Sequence, residues 1–426
     1  MSSAEAELSR PTYPRHLAGA DGVRALACLL VVAVHVYDVT PDPTNPLDAA
    51  LKWAVKWEKL GVGVGAFFVL SGMLLSYPFW KAFVGGGAMP SMKRYASRRV
   101  VRIVPAFTVV SLVCFAAFSP WGAAEFGRLI AGLLYVNSYH YQTYFPVEGD
   151  TPLWSIGVEM QFYLLLAITM VGLFAWRRVS RGMVAAAAVI GALSAAIALG
   201  NWWIGQAVFD PMLAEVRADW MALGHPGLAA EHYLPYKNPI GLFAYFLVGV
   251  LSGWGIVWLV WTGRADGWGG RSVLGFNAFD LAIVGTGVVF LPLAVGLPDG
   301  WDLGLGHGFP VFPACMAVVM ACLPFSGRIG CWLDNGLLRW VGLVSYGLYL
   351  WHFPVLLWVK KVWPTDLDGV ESIGVIERVA FGVLVLGIAT ALAAISWYAI
   401  EQPVVRWAKR IEGGAARAAG VSSGGK

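Results

Sequence analysis

The chain has 426 residues, of which 58% are hydrophobic and only 13% are charged, and its net charge is +4. Soluble domains carry about a quarter of charged residues, so this composition excludes a soluble globular protein and predicts a polytopic membrane protein. The basic residues form no stripe typical of nucleic-acid binding, so no nucleic-acid partner is expected. The five cysteines include no C-x-x-C pair, which indicates packing residues and neither a disulfide framework nor a metal site.

Ten apolar segments are long enough to cross a bilayer, and they predict an all-α polytopic membrane protein with about ten transmembrane helices. They lie near 17–38, 60–80, 103–119, 152–175, 182–200, 240–262, 274–297, 309–324, 338–359 and 376–402. The basic loops 81–102 and 176–181 and the basic tail after Glu401 indicate the cytoplasmic side, so both termini are expected there. Only two crossings fit between these loops. The moderately apolar piece 126–139 is therefore predicted to be re-entrant or interfacial, and an eleventh span is the alternative.

Three parts are expected along the chain. Residues 1–16 are polar and predicted to be a disordered cytoplasmic N-terminus, residues 17–403 form the transmembrane domain, and residues 404–426 form a basic cytoplasmic tail. No small-residue cleavage site follows the first apolar stretch, so a removed signal peptide is not expected.

The first span contains ionisable side chains that a lipid-facing helix would exclude. Asp21 and Arg24 lie near one end and His35 near the other. Arg24 and His35 are eleven residues apart, so they face nearly the same side of a helix and are separated by roughly 16 Å along its axis. Such groups are costly inside a span unless they face protein, water or a ligand, which makes them candidates for function. The alternative is that Arg24 reaches lipid phosphates and His35 hydrogen-bonds a neighbouring helix.

His35 and polar residues of other spans are predicted to lie toward the outer half of the membrane. Those of the other spans are Ser71 in FFVLSG, Ser155 and Glu159 in LWSIGVEMQFY, and Ser345, Tyr346, Tyr349 and His352 in SYGLYLWHFP. A carboxylate of Glu159 or Asp21 beside His35 would orient the imidazole and make it a general base for a hydroxyl nucleophile. The alternatives are a buried hydrogen bond for Glu159, a structural role for His352 before a proline, and close helix packing at Ser71.

A run of arginines, ASRRVVRIVP, precedes the third span. Its simplest interpretation is an anchor that keeps this loop cytoplasmic. Arg98 or Arg99 together with Arg102 could instead bind the phosphates of a cytosolic ligand, because residues three or four apart share a helix face. Walker, G-x-G-x-x-G and H-E-x-x-H patterns are absent, so a nucleotide would be held by arginines and no metal is expected.

Six motifs, in this order, resemble those of the bacterial acyltransferase-3 family of integral membrane O-acyltransferases. They are Arg24 with His35, FFVLSG at 67–72, the R-x-x-R-type run at 99–105, LWSIGVEMQFY at 153–163, SYGLYLWHFPV at 345–355 and WYAIEQP at 397–403. The resemblance implies that residues 17–403 are an acyltransferase domain in the bacterial cytoplasmic (inner) membrane. It further implies transfer of an acyl group, expected to be acetyl, from cytoplasmic acyl-CoA to a hydroxyl of a surface or exported glycan.

The resemblance also implies roles for individual residues. His35 would be the catalytic base with Arg24 as its companion, and Glu159 would be a further site residue. Arg99 and Arg102 would contact the CoA phosphates, and the doubled Arg98-Arg99 leaves the assignment among the three arginines open. The remaining candidates for substrate or acyl-CoA binding are Asp21, Ser71, Tyr349 and His352, with Ser71 and Tyr349 as donors to a developing oxyanion.

The expected partners are acyl-CoA as co-substrate, a glycan or lipid-linked sugar as acceptor, and membrane lipids, while homo-oligomerisation is left open. Many family members add an extracellular esterase-like domain with a GDS nucleophile, which this sequence does not contain. The membrane part is then expected to acylate its acceptor directly or to pass the acyl group to a separate protein. Two alternatives remain: the acceptor could be an antibiotic or other small metabolite, or the chain could be a non-catalytic glycan or lipid transporter.

Overall fold

The computed structural model describes residues 12–40, 62–177, 182–209, 238–270, 272–290, 305, 309–365, 367 and 373–423. Parts of several predicted features lie outside the described residues. They are the disordered N-terminus up to residue 11, residues 60–61 of the second span, residues 178–181 of a basic loop, residues 291–297 of the seventh span, and residues 424–426 of the tail. Residues 12–16 of that N-terminus make contacts, because the Pro14 carbonyl accepts a hydrogen bond from Tyr77 and His16 lies 3.0 Å from Asp334.

Within these ranges the protein is almost entirely helical. The helices are α1 Ala20–Asp38, α2 Val62–Val84, α3 Met92–Phe118, α4 Ala123–Leu133, α5 Trp154–Trp176, α6 Met183–Ile204, α7 Pro239–Trp261, α8 Arg264–Gly269, α9 Ala278–Gly285, α10 Val311–Cys322, α11 Arg328–Leu333, α12 Gly336–Val362, α13 Val375–Ser396 and α14 Gln402–Ser423. Strands β1 Ser272–Val273 and β2 Phe276–Asn277 pair in an antiparallel hairpin. Short 3₁₀ turns lie at Asn137–Tyr139, Tyr141–Thr143, Thr151–Leu153 and Leu323–Phe325, and π-helical turns at Gly205–Phe209, Thr286–Phe290 and Trp397–Glu401.

The predicted all-α polytopic architecture is confirmed. Eight described helical segments are long and apolar enough to cross a membrane, and they match eight of the ten predicted spans. The other two predicted spans match shorter apolar helices, Ala278–Phe290 and Val311–Phe325. Helix α4 covers only about 16 Å, half of a bilayer core, so the segment 126–139 holds no full crossing. Its re-entrant or interfacial placement and the cytoplasmic location of the termini stay predictions.

Helix α3 begins earlier than the predicted third span. It starts at Met92, where the Ser91 hydroxyl accepts a hydrogen bond from the backbone N–H of Arg94 at 3.4 Å. The following residues contain no glycine or proline before Pro105, so nothing interrupts the helix once Ser91 has capped it. The arginine run therefore lies on a regular helix and not in a loop, and consecutive arginines point in different directions.

The chain divides into two compact units. The first unit comprises Met1–Val34, Asn45–Met89 and Leu164–Leu343. In it, α2 and α7 pack through glycines: a Cβ added at Gly72 would lie 2.1 Å from the Phe246 carbonyl oxygen, and one added at Gly249 would lie 2.1 Å from that of Val69. Small residues let helix backbones approach closely in a membrane, where packing is a main source of helix association. The glycine of FFVLSG is thus a packing residue.

The second unit comprises His35–Thr44, Pro90–Tyr163 and Val344–Lys426. In it, α12 contacts α3 through the Tyr346 hydroxyl, which donates to the Ile103 carbonyl at 2.9 Å. On another side α12 packs on α13, where a Cβ at Gly347 would lie 3.1 Å from the Ala393 backbone. These contacts make α12 central to the second unit.

The segment between α4 and α5, also in the second unit, is held by hydrogen bonds to its own backbone. The Asn137 amide donates to the Tyr144 carbonyl at 2.9 Å, and the Ser138 hydroxyl donates to the Trp154 carbonyl at 3.3 Å. Tyr144 stacks on Trp154 with ring centroids 5.4 Å apart. Buried backbone groups need such partners, so this non-helical segment can pack inside the protein.

Candidate active site

Two histidines of the second unit meet at the end of α1. Nδ1 of His35 lies 3.3 Å from Nε2 of His352 on α12, and the ring centroids are 5.1 Å apart. The Phe353 ring packs edge-on against His35 at 5.2 Å. His352 is fully buried, whereas His35 is partly exposed. An imidazole that is partly accessible and held by a buried neighbour has the arrangement expected of a general base.

His352 is in turn fixed by its own helix. Its Nδ1 lies 2.6 Å from the carbonyl oxygen of Tyr349, one turn earlier on α12. The Tyr349 hydroxyl lies 2.6 Å from the Ser155 hydroxyl and donates to the Pro152 carbonyl at 3.0 Å. Tyr349 therefore ties α12 to the start of α5. The predicted role of this hydroxyl as an oxyanion donor stays a prediction, and its hydrogen bonds give it a structural role as well.

Glu159 and Tyr163 form a second polar group on α5. The Tyr163 hydroxyl donates to Glu159 at 2.6 Å, and the Tyr163 carbonyl accepts from the Tyr95 hydroxyl at 3.2 Å. The guanidinium carbon of Arg99 lies 6.0 Å from the centroid of the Tyr163 ring. Arg99 of α3 and the Glu159–Tyr163 pair of α5 therefore form one polar cluster around the Tyr163 ring.

The three arginines of α3 have different surroundings. Arg98 is exposed and donates to Glu412 of α14 at 3.3 Å, with Ser97 donating to the same carboxylate at 3.1 Å. Arg99 is partly buried, and among the described residues its Nε has no hydrogen-bond partner. Arg102 is also partly buried, so Arg99 and Arg102, three residues apart, share the inward side of α3.

Glu401 interacts electrostatically with Arg102 and was missed as a candidate. It ends the π-helical turn Trp397–Glu401, is 1% exposed, and accepts a hydrogen bond from Ser396 at 3.3 Å through Oε1. Its Oε2 is buried and has no hydrogen-bond partner within the described part of the chain. The signal was available, because a glutamate in the apolar run WYAIEQP is costly without a partner.

Tyr135 is a second residue that the sequence did not single out. Its backbone has φ +59°, a left-handed conformation uncommon outside glycine, and its carbonyl accepts from Gln161 at 2.7 Å. The ring lies 5.0 Å from Phe107, and the buried hydroxyl has no hydrogen-bond partner in the described ranges. Strained residues of this kind concentrate at functional sites, but no pattern in a single sequence predicts the strain.

The remaining candidates lie in the first unit. Arg24 donates to Asp21 at 2.6 Å, one turn apart on α1. Ser71 precedes the packing glycine of α2 and is partly exposed. Nδ1 of His35 has the ring of His352 as a partner, and the Asp21 and Glu159 carboxylates accept hydrogen bonds from Arg24 and Tyr163, respectively. A carboxylate of Asp21 or Glu159 beside His35 stays a prediction. In the described part of the chain, no group of three histidine, cysteine or acidic residues is arranged to hold a metal ion.

A family model described as an acyltransferase domain, that of acyltransferase-3, matches residues 17–398. Three curated bacterial proteins are similar to the chain at low identity. YrhL of Bacillus subtilis, provisionally named a peptidoglycan O-acetyltransferase, is 25% identical over 92% of this chain and 55% of its own length. The O-acetyltransferase OatA of Staphylococcus aureus is 23% identical over 83% of this chain and 53% of its own. The peptidoglycan O-acetyltransferase OatA of Listeria monocytogenes is 24% identical over 80% and 50%.

These comparisons cover most of this chain but only part of the relatives. The chain spans about half the length of the curated relatives it matches. No solved structure gives a significant match.

Proposed function

Because the chain belongs to the acyltransferase-3 family, we propose that it is a membrane O-acyltransferase that moves an acyl group, acetyl in the simplest case, from cytoplasmic acyl-CoA to a hydroxyl of a cell-envelope glycan. Three relatives named for O-acetylation, two of them of peptidoglycan, support a glycan as the acceptor class. This proposal includes four parts: the donor, the direction of transfer, the acceptor, and the bacterial inner membrane as the location. All four are proposals because the chain covers only about half the length of each relative.

The observation that carries the proposal is the contact between His35 and His352. His35 occupies the histidine position of the family motif, is partly exposed, and is held through Nδ1 at 3.3 Å by a fully buried ring. A transporter or a lipid-binding scaffold would not require an oriented and accessible imidazole. An acyltransferase that deprotonates a hydroxyl does require one.

The arrangement of α3 supports a phosphate-bearing donor. Arg99 and Arg102 share the inward side of the helix, and guanidinium groups bind phosphates bidentately. Tyr346 of α12 bonds to Ile103, next to Arg102, and His352 lies six residues further along α12, about 9 Å in axial rise. An extended pantetheine arm can cover this distance, so phosphates at the arginines are compatible with a thioester near His35.

The proposed reaction is a single acyl transfer. His35 takes the proton from the acceptor hydroxyl as its oxygen attacks the thioester carbonyl carbon. The carbon–sulfur bond then breaks, the ester remains on the acceptor, and the proton held by His35 passes to the CoA thiolate to give free CoA. Arg24 remains the proposed companion of His35, and Glu159 remains a proposed site residue within its cluster with Tyr163 and Arg99.

The test is binding and turnover of radiolabelled acetyl-CoA by the detergent-purified protein, with an N-acetylglucosamine oligosaccharide as acceptor. We expect His35→Ala to bind acetyl-CoA normally and to lose at least about 10²-fold in turnover, the usual contribution of a general base. His140→Ala removes an exposed histidine of the same unit and is the matched control, with turnover unchanged.

Three outcomes would count against the proposal. Normal turnover by His35→Ala would make His35 structural. Equal losses in His140→Ala would show that the assay reports general damage to the protein. No binding of acetyl-CoA by the wild type would remove this donor, and longer acyl-CoAs would then decide between another acyl donor and a transporter.

A further inference from the structure

The hydrogen bonds of His352 determine which of its nitrogens carries a proton. Nδ1 lies 2.6 Å from the Tyr349 carbonyl oxygen, and the Leu348 carbonyl interacts with the same ring. A carbonyl oxygen only accepts hydrogen bonds, so Nδ1 of His352 must be the protonated nitrogen.

The other nitrogen of His352 is then a hydrogen-bond acceptor. The ring is 0% exposed, and none of the described acidic residues forms an ion pair with it. A charged imidazolium in this position would be buried without a compensating carboxylate, which is costly, so the ring is neutral. A neutral imidazole protonated on Nδ1 has a lone pair on Nε2.

This acceptor faces Nδ1 of His35 at 3.3 Å. Two lone pairs do not form a hydrogen bond, so Nδ1 of His35 must carry the proton that it donates to His352. The lone pair of His35 is consequently on Nε2, the nitrogen on the far side of the ring from His352. The edge of Phe353, at 5.2 Å and nearly perpendicular, restricts rotation of the His35 ring.

We propose that His352 is a positioning residue that holds His35 in the Nδ1–H tautomer and so makes Nε2 the nitrogen that accepts the proton of the acceptor hydroxyl. The inference rests on the proposed function for its catalytic meaning, whereas the tautomer itself can be observed without any substrate. In serine hydrolases a carboxylate performs this orientation; here a neutral ring, itself fixed by a helix carbonyl, performs it.

The proton of the acceptor hydroxyl then follows one complete path through His35. Before reaction, His35 has a proton on Nδ1 and a lone pair on Nε2. After it accepts the hydroxyl proton, both of its nitrogens are protonated, and the Nδ1–H bond to His352 remains in place. Donation of the Nε2 proton to the departing thiolate restores the starting tautomer, so His352 never changes its own protonation.

The experiment is NMR of protein labelled with ¹⁵N and ¹³C at its histidines and reconstituted in lipid nanodiscs. Ring nitrogen and carbon shifts distinguish the two neutral tautomers and the imidazolium, and spectra of His35→Gln and His352→Gln assign the signals. In the wild type, we expect both His35 and His352 as the Nδ1–H tautomer, which is the less common form of free histidine.

Two variants of His352 separate orientation from simple packing. His352→Asn keeps a donor near the Tyr349 carbonyl but removes the acceptor facing His35, whereas His352→Gln can place its amide oxygen where Nε2 was. We expect His35 to change to the Nε2–H tautomer in His352→Asn and to keep the Nδ1–H tautomer in His352→Gln. Turnover should fall roughly 10²-fold in His352→Asn with an unchanged KM for acetyl-CoA, and His352→Gln should recover most of it.

A wild-type spectrum with His35 as the Nε2–H tautomer, or with His352 as an imidazolium, would overturn the inference whatever the activity. Equal tautomers and equal turnover in the two variants would also overturn it, since a packing role alone would not distinguish them. If the predicted tautomers are found but acetyl-CoA is neither bound nor used, the positioning inference stands and the proposed function fails.

Discussion

Arg98 donates a hydrogen bond to Glu412 at 3.3 Å and so joins the first turns of α3 to α14. Its neighbour Arg99 lies on another side of α3, with its guanidinium carbon 6.0 Å from the Tyr163 ring. A helix turns by about 100° per residue, so adjacent arginines cannot share one ligand as easily as residues three apart. Of the two adjacent arginines of the motif, Arg98 therefore attaches α3 to α14, and Arg99 contacts the candidate site.

This division predicts unequal effects of alanine substitutions. Arg99→Ala and Arg102→Ala should each raise the KM for acetyl-CoA about 10- to 100-fold, because each removes a charged hydrogen-bond donor to phosphate. Arg98→Ala should change KM by no more than about threefold, since an exposed ion pair contributes little. Steady-state kinetics with radiolabelled acetyl-CoA measure all three, and Arg98→Ala serves as the matched control. An effect of Arg98→Ala as large as that of Arg102→Ala would contradict the assignment.

Arg102 and Glu401 should be coupled in stability. They interact electrostatically, and Glu401 is 1% exposed, so replacing either one leaves the other charge less compensated inside the span. We expect Arg102→Ala to lower the free energy of unfolding. The double variant Arg102→Ala/Glu401→Gln should recover part of this loss. The coupling should be about 2–3 kcal/mol, the Coulomb energy of two unit charges roughly 6–8 Å apart at an effective dielectric constant near 20.

A double-mutant cycle from thermal unfolding in detergent measures this coupling. Strictly additive effects of the two substitutions would show that the charges do not interact. The same cycle with Arg98→Ala in place of Arg102→Ala is the control and should be additive, because Arg98 is paired with Glu412.

Much of the fold could be predicted because transmembrane helices are determined by local sequence. Length and hydropathy predict spans without knowledge of their neighbours, and the predicted spans match described helices. Helix α3 begins before the predicted third span for a related reason. Hydropathy marks where a helix enters the apolar layer, whereas the hydrogen bond to Ser91 determines where the helix begins, eleven residues before the predicted span.

The candidate site was only partly predictable because its contacts join residues far apart in the chain. His35 could be found from its position in an apolar span, and His352 from its motif, but 317 residues separate them and no spacing rule pairs them. A carboxylate is the partner that the sequence predicts for His35, and no pattern in the sequence indicates that the assembled helices also bring the imidazole of His352 to its Nδ1. Glu401 has the same limit. The sequence alone indicates that a glutamate in this apolar segment costs free energy, but it does not indicate that Arg102 lies near it.

The glycines between α2 and α7 predict a strong effect of adding one methyl group. Gly72→Ala and Gly249→Ala would each bring Cβ to 2.1 Å from a backbone carbonyl oxygen, which can move only if a helix moves. Overpacking of this kind costs about 1–3 kcal/mol, and a backbone clash should lie at the upper end. The melting temperature and the monodisperse yield in detergent should both fall.

Gly172→Ala, in the same unit, is the control for these two variants, because no atom of the described residues beyond its own helix backbone lies within 4 Å of its added Cβ. Alanine is the better helix former by up to about 1 kcal/mol, so this variant should be neutral or slightly more stable. Equal melting temperatures for Gly72→Ala and Gly172→Ala would contradict the close approach of the α2 and α7 backbones at Gly72.

Asp150 predicts a dependence of stability on pH. It directly precedes the 3₁₀ turn Thr151–Leu153, which leads into α5. Its side chain is 0% exposed, and neither carboxylate oxygen has a hydrogen-bond partner among the described residues. Burial raises the pKa of Asp150 well above its usual range, and Cys114 is a neighbour with which it interacts. The native protein therefore retains a proton that the unfolded chain releases near its ordinary pKa of about 3.9.

The sign of the effect follows from proton binding. Between the unfolded and the folded pKa of Asp150 the native state binds more protons, so its stability falls as pH rises, by up to about 1.4 kcal/mol per pH unit for one group. The Asp150→Asn variant has no such proton to lose. The melting temperature of the wild type should therefore exceed that of Asp150→Asn most clearly near pH 4.5. This excess should shrink or reverse toward pH 7.5. Asp38→Asn removes an exposed carboxylate of the same unit and should show no such trend. A constant difference across this pH range would show that Asp150 is ionised in the native protein and would contradict the prediction.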